Sequence, residues 1–390
     1  MAFYLSALLF VDFLMTLFAT THRAVKTVFR PFLKDRLLHI LLILGIVLTV
    51  LTPTKISAFS QFIDWTTIVT LLGLMLLTKG VEVSGYFDFI GRKIINTLHT
   101  ERYLALFLVL SAALLSSFLT NDVALFILIP LILTLKKISS VPVSRLIIFS
   151  ALAVNAGSLL TPIGNPQNIL LWSRSGLSFI GFTRQMAPLT GVILLTLLAV
   201  TWWSFPARKI VKQATSPLYP YQFSLLLSCL ALYVIFVISV DLGWAGYGLL
   251  LVFTGLLLLA RRVLLAIDWS LIVVFIAMFI DVRLLTELPV LQSLFGEVKM
   301  LSISASYVMG IGLSQLISNV PATILLLNYL PSSALVAYAV NIGGFGFALG
   351  SMANLIALRM ANEPAIWLKF HAYSLPFLLW SALVGWGLLS

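Results

Sequence analysis

Two polar runs interrupt otherwise apolar stretches of this sequence and hold the side chains best suited to chemistry. They are Ser116-Ser117-Phe118-Leu119-Thr120-Asn121-Asp122 and Ser314-Gln315-Leu316-Ile317-Ser318-Asn319-Val320-Pro321. Each reads Ser, three residues, Ser or Thr, then Asn, so one helical turn sets the first hydroxyl (Ser116, Ser314) beneath the second (Thr120, Ser318). A second pair is tighter. NAGSLLTPIGNPQNIL from Asn155 and NIGGFGFALGSMANLI from Asn341 agree at Asn155/Asn341, Gly157/Gly343, Gly164/Gly350 and Asn168/Asn354 with identical spacing. Hydroxyls, carboxamides and glycine-freed carbonyls can bind a small polar solute or a cation. They do not form a catalytic set: Asp122 has no acid or His partner in the sequence, no Gly-rich phosphate loop occurs, and the four His residues lack metal-ligand spacing. A non-enzymatic binding role follows.

These residues sit in a membrane chain. Of 390 residues, 61% are hydrophobic and 9% charged, and the mean hydropathy is +1.10, which excludes a soluble domain of this length. A span needs about 20 apolar residues to cross roughly 30 Å of hydrocarbon. Ten segments qualify, at 1–20, 37–53, 63–81, 144–172, 185–204, 222–240, 246–262, 267–283, 333–360 and 369–389. The first carries Asp12 and is followed by basic residues, the reverse of a cleaved signal peptide, so it reads as a span or as an extension upstream of the true start. With the amino terminus outside, 19 of the 24 Lys and Arg fall on the cytoplasmic side. The net charge of +11 is therefore an orientation signal rather than a nucleic-acid patch, and both termini are expected to be periplasmic. One cysteine, Cys229, rules out a disulfide framework.

Four apolar stretches, 102–119 with 122–135 and 302–317 with 322–330, have almost no loop between partners and break at the polar runs. They read as two re-entrant hairpins, whose polar tips imply a binding site because non-helical backbone at membrane depth needs protein or a watery cavity around it. Ile63-Asp64-Trp65-Thr66 and Ile267-Asp268-Trp269-Ser270 form a further echo, each opening a span. An odd number of crossings separates these copies, so the repeat is inverted. The first repeat spans 1–204, with a hairpin at about 102–135 and a broken helix at 144–172. Residues 205–221 form a cytoplasmic linker, and the second repeat covers 222–390, with a hairpin at about 302–330 and a broken helix at 333–360. Phe87, Ile90, Ile94 and Leu98 predict one face of an interfacial helix. Inverted repeats with interrupted helices are typical of secondary transporters, whose breaks present helix ends and free carbonyls near the midplane.

FLTNDVALFILIP, NAGSLLTPIGNPQNIL, LISNVPATILLL and NIGGFGFALGSMANLI resemble the paired signatures of the ion transporter superfamily. The superfamily includes arsenite pump proteins, metal-citrate transporters, divalent-anion/sodium symporters and a class of sodium/proton antiporters. The chain is most similar to a bacterial inner-membrane branch of the citrate and arsenite transporters. The resemblance implies an all-α polytopic membrane protein of about ten transmembrane helices plus two re-entrant hairpins, working as an elevator and assembling as a homodimer. It implies tips at Thr120-Asn121 and Ser318-Asn319 that bind substrate with Asn155 and Asn341. It also implies two coupling-ion sites, one lined by Ser116, Asn121, Asp122 and Gly157 and the other by Ser314, Asn319 and Gly343. No cofactor is expected beyond a coupling sodium ion or proton, and the partners are membrane lipid and a small solute, not nucleic acid. Where the symporter tip has its third residue, this chain has Asp122 in one copy and Val320-Pro321 in the other. A fixed negative charge opposes a doubly charged anion. The expected function is ion-coupled secondary transport of a small anion or weak-acid solute, with cation antiport or a channel-like pathway as the alternatives.

Overall fold

The computed structural model describes residues 32–33, 35–52, 56–118, 120–212, 221–289, 302–327 and 329–390. The expected span at 1–20 and residues 213–220 of the linker lie outside them. The helices of eight or more residues among the described residues are, in chain order, α1 (Arg36–Leu51), α2 (Trp65–Val83), α3 (Tyr86–Thr97), α4 (Glu101–Phe118), α5 (Asn121–Ile138), α6 (Val143–Ser158), α7 (Pro166–Ser175), α8 (Phe179–Ser204), α9 (Phe223–Asp241), α10 (Ala245–Ala260), α11 (Trp269–Glu287), α12 (Ile303–Ile317), α13 (Asn319–Leu326), α14 (Ala334–Ile342), α15 (Met352–Ala361) and α16 (Ile366–Leu389). Strands β1 (Ser139–Ser140) and β2 (Val211–Lys212) pair antiparallel. Among the described residues six helices, α2, α4, α8, α9, α11 and α16, are long and apolar enough to cross a membrane, and α1, α6, α10, α12, α14 and α15 are shorter and apolar. The chain is a nearly all-helical, multi-pass membrane protein. By length and composition α4, expected to be a hairpin arm, is among the six.

The chain divides into two compact units that do not follow the two sequence repeats. Residues 1–83 and 223–288 make one, and residues 84–222 and 289–390 the other. In the first unit, α1 packs on α11 and α2 on α9 and α10. The Asp-Trp echo has a local purpose here. Asp64 and Asp268 accept backbone N–H bonds from Thr67 (3.1 Å) and Leu271 (3.3 Å), and the indoles of Trp65 and Trp269 donate back five residues, to the Ser60 and Leu264 carbonyls at 2.9 and 3.0 Å. Capping of this kind satisfies donors that a helix start leaves open.

In the second unit the amphipathic helix α3 buries Phe87, Gly91 and Ile95 against α5. The expected face was Phe87, Ile90, Ile94 and Leu98. Apolar periodicity points to the bulky residues, whereas close packing selects Gly91, where Leu135, Ile138 and Thr134 crowd in. The expected linker begins as a strap: Ile210 N–H donates to His99 O (2.9 Å), Glu101 N–H to Arg208 O (3.0 Å), and β2 pairs with β1, tying both feet of the first hairpin.

Two glycine-bearing apolar stretches of this unit are interrupted helices. The chain stops being helical after Ser158 and resumes at Pro166. In the other copy it passes from α14 through two short 3₁₀ turns, Gly343–Phe345 and Ala348–Gly350, into α15. A break strands carbonyls and amides, and where they are buried the protein must satisfy them. Two asparagines do so. Asn168 donates to the carbonyls of Ser158, Leu159 and Thr161 at 3.0–3.2 Å, and Asn354 donates to Gly344 O at 2.8 Å. Each is then bonded by the other copy: Asn155 Nδ2 donates to Asn354 Oδ1 (2.8 Å) and Asn341 Nδ2 to Asn168 Oδ1 (2.7 Å). The reciprocity extends to the residue that opens the following helix, since Ser351 donates to Asn155 Oδ1 (3.0 Å) and Asn165 Nδ2 to Asn341 Oδ1 (3.1 Å). All six side chains are at most 5% exposed.

Removing one member leaves buried donors and acceptors without partners, a cost of about 1–3 kcal/mol for each group. Asn354→Ala and Asn168→Ala should each lower the thermal midpoint of the detergent-solubilised protein, and the double variant Asn155→Ala/Asn354→Ala should lose less than the sum of its single variants. Strict additivity, measured in the same melting series, would mean that the pair is not coupled.

Candidate functional site

The hairpin tips are built onto this double lock. In the first copy α4 ends at Phe118, Thr120 is extended (φ −71°, ψ 153°) and α5 begins at Asn121. Asn121 N–H donates to Gly164 O at 3.0 Å, binding the tip to the first break. In the second copy Ser318 takes the same ψ with φ of opposite sign, +71°. A non-glycine residue there carries strain of about 1–3 kcal/mol, which tends to collect at functional positions. Asn319 follows and lies beside Gly344: a Cβ on that glycine would sit 3.3 Å from Asn319 Nδ2 and 3.8 Å from the Asn155 side-chain carbon. The second tip, the second break and the first copy's Asn155 thus meet at one point. Neither Thr120 nor Ser318 caps its helix through its side chain, and Asn121 and Asn319 are first residues of helices rather than caps.

Below each tip a serine meets a glycine. A Cβ on Gly157 would collide with the Ala113 carbonyl and come within 2.5 Å of Ser116 Oγ, and one on Gly343 would collide with the Ser314 side chain. Only glycine permits this approach. The serine hydroxyls donate to carbonyls of their own helices, Ser116 to Ala113 O (3.1 Å) and Ser314 to Gly310 O (2.9 Å). Their protons are used, so what each hydroxyl retains for a ligand is oxygen lone pairs.

The next residue in each copy holds the glycine carbonyl itself. Ser117 Oγ donates to Gly157 O (2.9 Å), and Gln315 Nε2 donates to Gly343 O (2.5 Å) while its Oε1 accepts from Phe347 N–H (2.6 Å). Sequence reading passed over Ser117, Gln315, Asn165, Ser351, Asn168 and Asn354 as site-builders. The signal was present for four of them, because Ser117 and Gln315 follow the matched serines and Asn168/Asn354 is a matched pair. Asn155 and Asn341, expected to bind substrate, have their carboxamides engaged in the lock. Asn121, Asn155, Asn319 and Asn341 are 2–5% exposed, so the cluster is closed to solvent rather than lining an open cavity.

Besides Gln167 Oε1, Asp122 is the exception to this thorough pairing. It lies in the first turn of α5, where helix N–H groups favour negative charge, yet its Oδ1 is buried with no hydrogen-bond partner. The other unit holds a second such oxygen that the sequence reading did not single out. Asp281, inside α11, is 3% exposed with Oδ2 unpartnered, and Gly45 of α1 leaves the room its carboxylate occupies.

Comparison with known proteins places this architecture. The citrate transporter profile matches residues 25–349. Inner membrane protein YbiR of Escherichia coli (strain K12) is 57% identical over 363 residues, covering 92% of this chain and 98% of that protein. Uncharacterized transporter MJ0456 of Methanocaldococcus jannaschii is 32% identical over 326 residues, covering 82% and 87%. The putative transporter arsB of Dictyostelium discoideum is 25% identical over 156 residues, 40% of this chain and 27% of its own length. With most of its length matched by that profile and by full-length relatives, this chain belongs to the citrate transporter family.

Proposed function

We propose that the protein is an ion-coupled secondary transporter that moves a small anion or weak-acid solute across the bacterial inner membrane by alternating access. The observation that carries this reading is Asp122: an unpartnered carboxylate oxygen at a hairpin tip, in a cluster where nearly every other polar atom is matched. A buried charge in a membrane ordinarily faces a partner or a pathway. Ser116, Ser117, Asn121 and the Gly157 carbonyl, from the same hairpin and its neighbouring break, offer the hard oxygen donors that suit a sodium ion, and the carboxylate suits a proton equally.

The closed state of the asparagine cluster supports alternating access over a standing pore, because solute can reach buried carboxamides only if something moves. The division into two compact units, each drawing chain from both repeats, supports an elevator in which the unit bearing both tips travels. Cation exchange is the second reading. It is favoured by the one-sidedness of the charge: Asp122 in the first copy, Val320 in the second, so that a dicarboxylate would meet an uncompensated negative charge.

Asp122→Asn keeps the size and removes the charge. In proteoliposomes it should abolish ion-coupled accumulation while abundance and melting stay near normal, and wild-type coupling in this variant across pH 6 to 9, a window of about three pH units, would sink the assignment. Asn319→Ala should likewise stop transport with insertion intact, as read by uptake alongside membrane abundance. A collapse in abundance would make Asn319 a structural residue instead.

A further inference from the structure

We propose that a pocket at the foot of the first hairpin binds the phosphate group of an anionic membrane lipid. The pocket, of about 540 Å³, lies within the second unit and is lined by Lys136 from the last turn of α5, by residues 141–145 at the start of α6, and by Glu363, Lys369 and Tyr373 around the start of α16. Three cationic side chains (Lys136, Arg145 and Lys369) and one carboxylate share this space.

The carboxylate is already spoken for. Ser144 Oγ donates to Glu363 Oε2 at 2.6 Å, and Lys369 Nζ lies 3.4 Å from Oε1. The Ser144 bond, then the Lys369 and Lys136 charges, hold the Glu363 carboxyl below the ordinary carboxylate range. It is therefore ionised at neutral pH and neutralises Lys369, leaving Lys136 and Arg145 as the surplus. Arg145 is fixed in place: Nη1 donates to Ser204 O at 2.6 Å and the guanidinium lies 5.3 Å from the Phe205 ring centre. Lys136 has no ion-pair partner among the described residues. Two surplus cations facing one cavity repel each other, and a phosphate oxygen cluster relieves that repulsion with charge-assisted bonds from both, joined by the Tyr373 hydroxyl.

The surroundings favour lipid over a soluble anion. Trp202 and Trp203, next to the Ser204 that Arg145 grips, are 43% and 78% exposed, and Leu368, adjacent to Lys369, is 80% exposed. Exposed aromatic and apolar side chains next in sequence to residues that line or brace a basic pocket suit a headgroup with its acyl chains attached.

The test is a melting titration of the full-length, delipidated protein in detergent with phosphatidylglycerol, phosphatidylcholine or inorganic phosphate. Phosphatidylglycerol should raise the midpoint saturably and the other two should not. Lys136→Gln should weaken the half-saturating lipid concentration about fivefold, since a basic residue near anionic lipid is worth about one such factor. Glu363→Gln, which removes the competing carboxylate, should strengthen it by a similar factor. The opposite signs separate lipid binding from damage to the fold. An equal effect of phosphatidylcholine, an equal effect of inorganic phosphate, or an unchanged half-saturation in Lys136→Gln would overturn the proposal.

Discussion

The reciprocal carboxamide pairs, Asn155 to Asn354 and Asn341 to Asn168, are the constraint on which the second unit depends. A helix broken inside a membrane is tolerable only if its loose backbone groups find partners within the protein. Here each break is satisfied by an asparagine of its own copy, and that asparagine is bonded by the other copy. The breaks cannot then shift independently. Because Asn121 is bound to Gly164 and Asn319 lies against Gly344, both tips inherit this rigidity. Buried networks of this kind specify one arrangement when fully paired and become costly when partly paired.

On this nearly symmetric frame the chemistry is lopsided. The two copies share the Ser–Gly contact, the stitched break and the Asn at the tip. They differ in the carboxylate of Asp122 against Val320, in Ser117 against the longer Gln315 that reaches both Gly343 O and Phe347 N–H, and in the sign of φ at Thr120 and Ser318. The positive φ of Ser318 and the unpaired Asp122 oxygen break local rules in a region that otherwise keeps them. Such exceptions are where function is expected to reside.

Much of this was legible in the sequence because the chain repeats itself. Matched Asn and Gly positions lie at the breaks, and Gly157 and Gly343, read from the repeat as cation-site residues, are close approaches that only glycine allows. Three things were hidden, each for a physical reason. Hydrogen-bond direction does not follow from spacing, so Asn155 and Asn341 read as ligands rather than lock members, and Asn165 and Ser351 went unnoticed. Apolar periodicity cannot see a glycine, so the buried face of α3 falls on Gly91. Compactness is set by tertiary packing across distant segments, so the two units cut across the repeats, and Asp281 emerges only when α11 meets Gly45.

The account is tested most directly by gradient-driven uptake into proteoliposomes that hold only the purified wild-type chain, screened over citrate, succinate, arsenite and sodium/proton exchange with no nucleotide present. It predicts saturable accumulation of one of these beyond equilibration, lost when an ionophore collapses the imposed sodium or proton gradient. Flux that merely equilibrates, rises without saturation and ignores both gradients would contradict it.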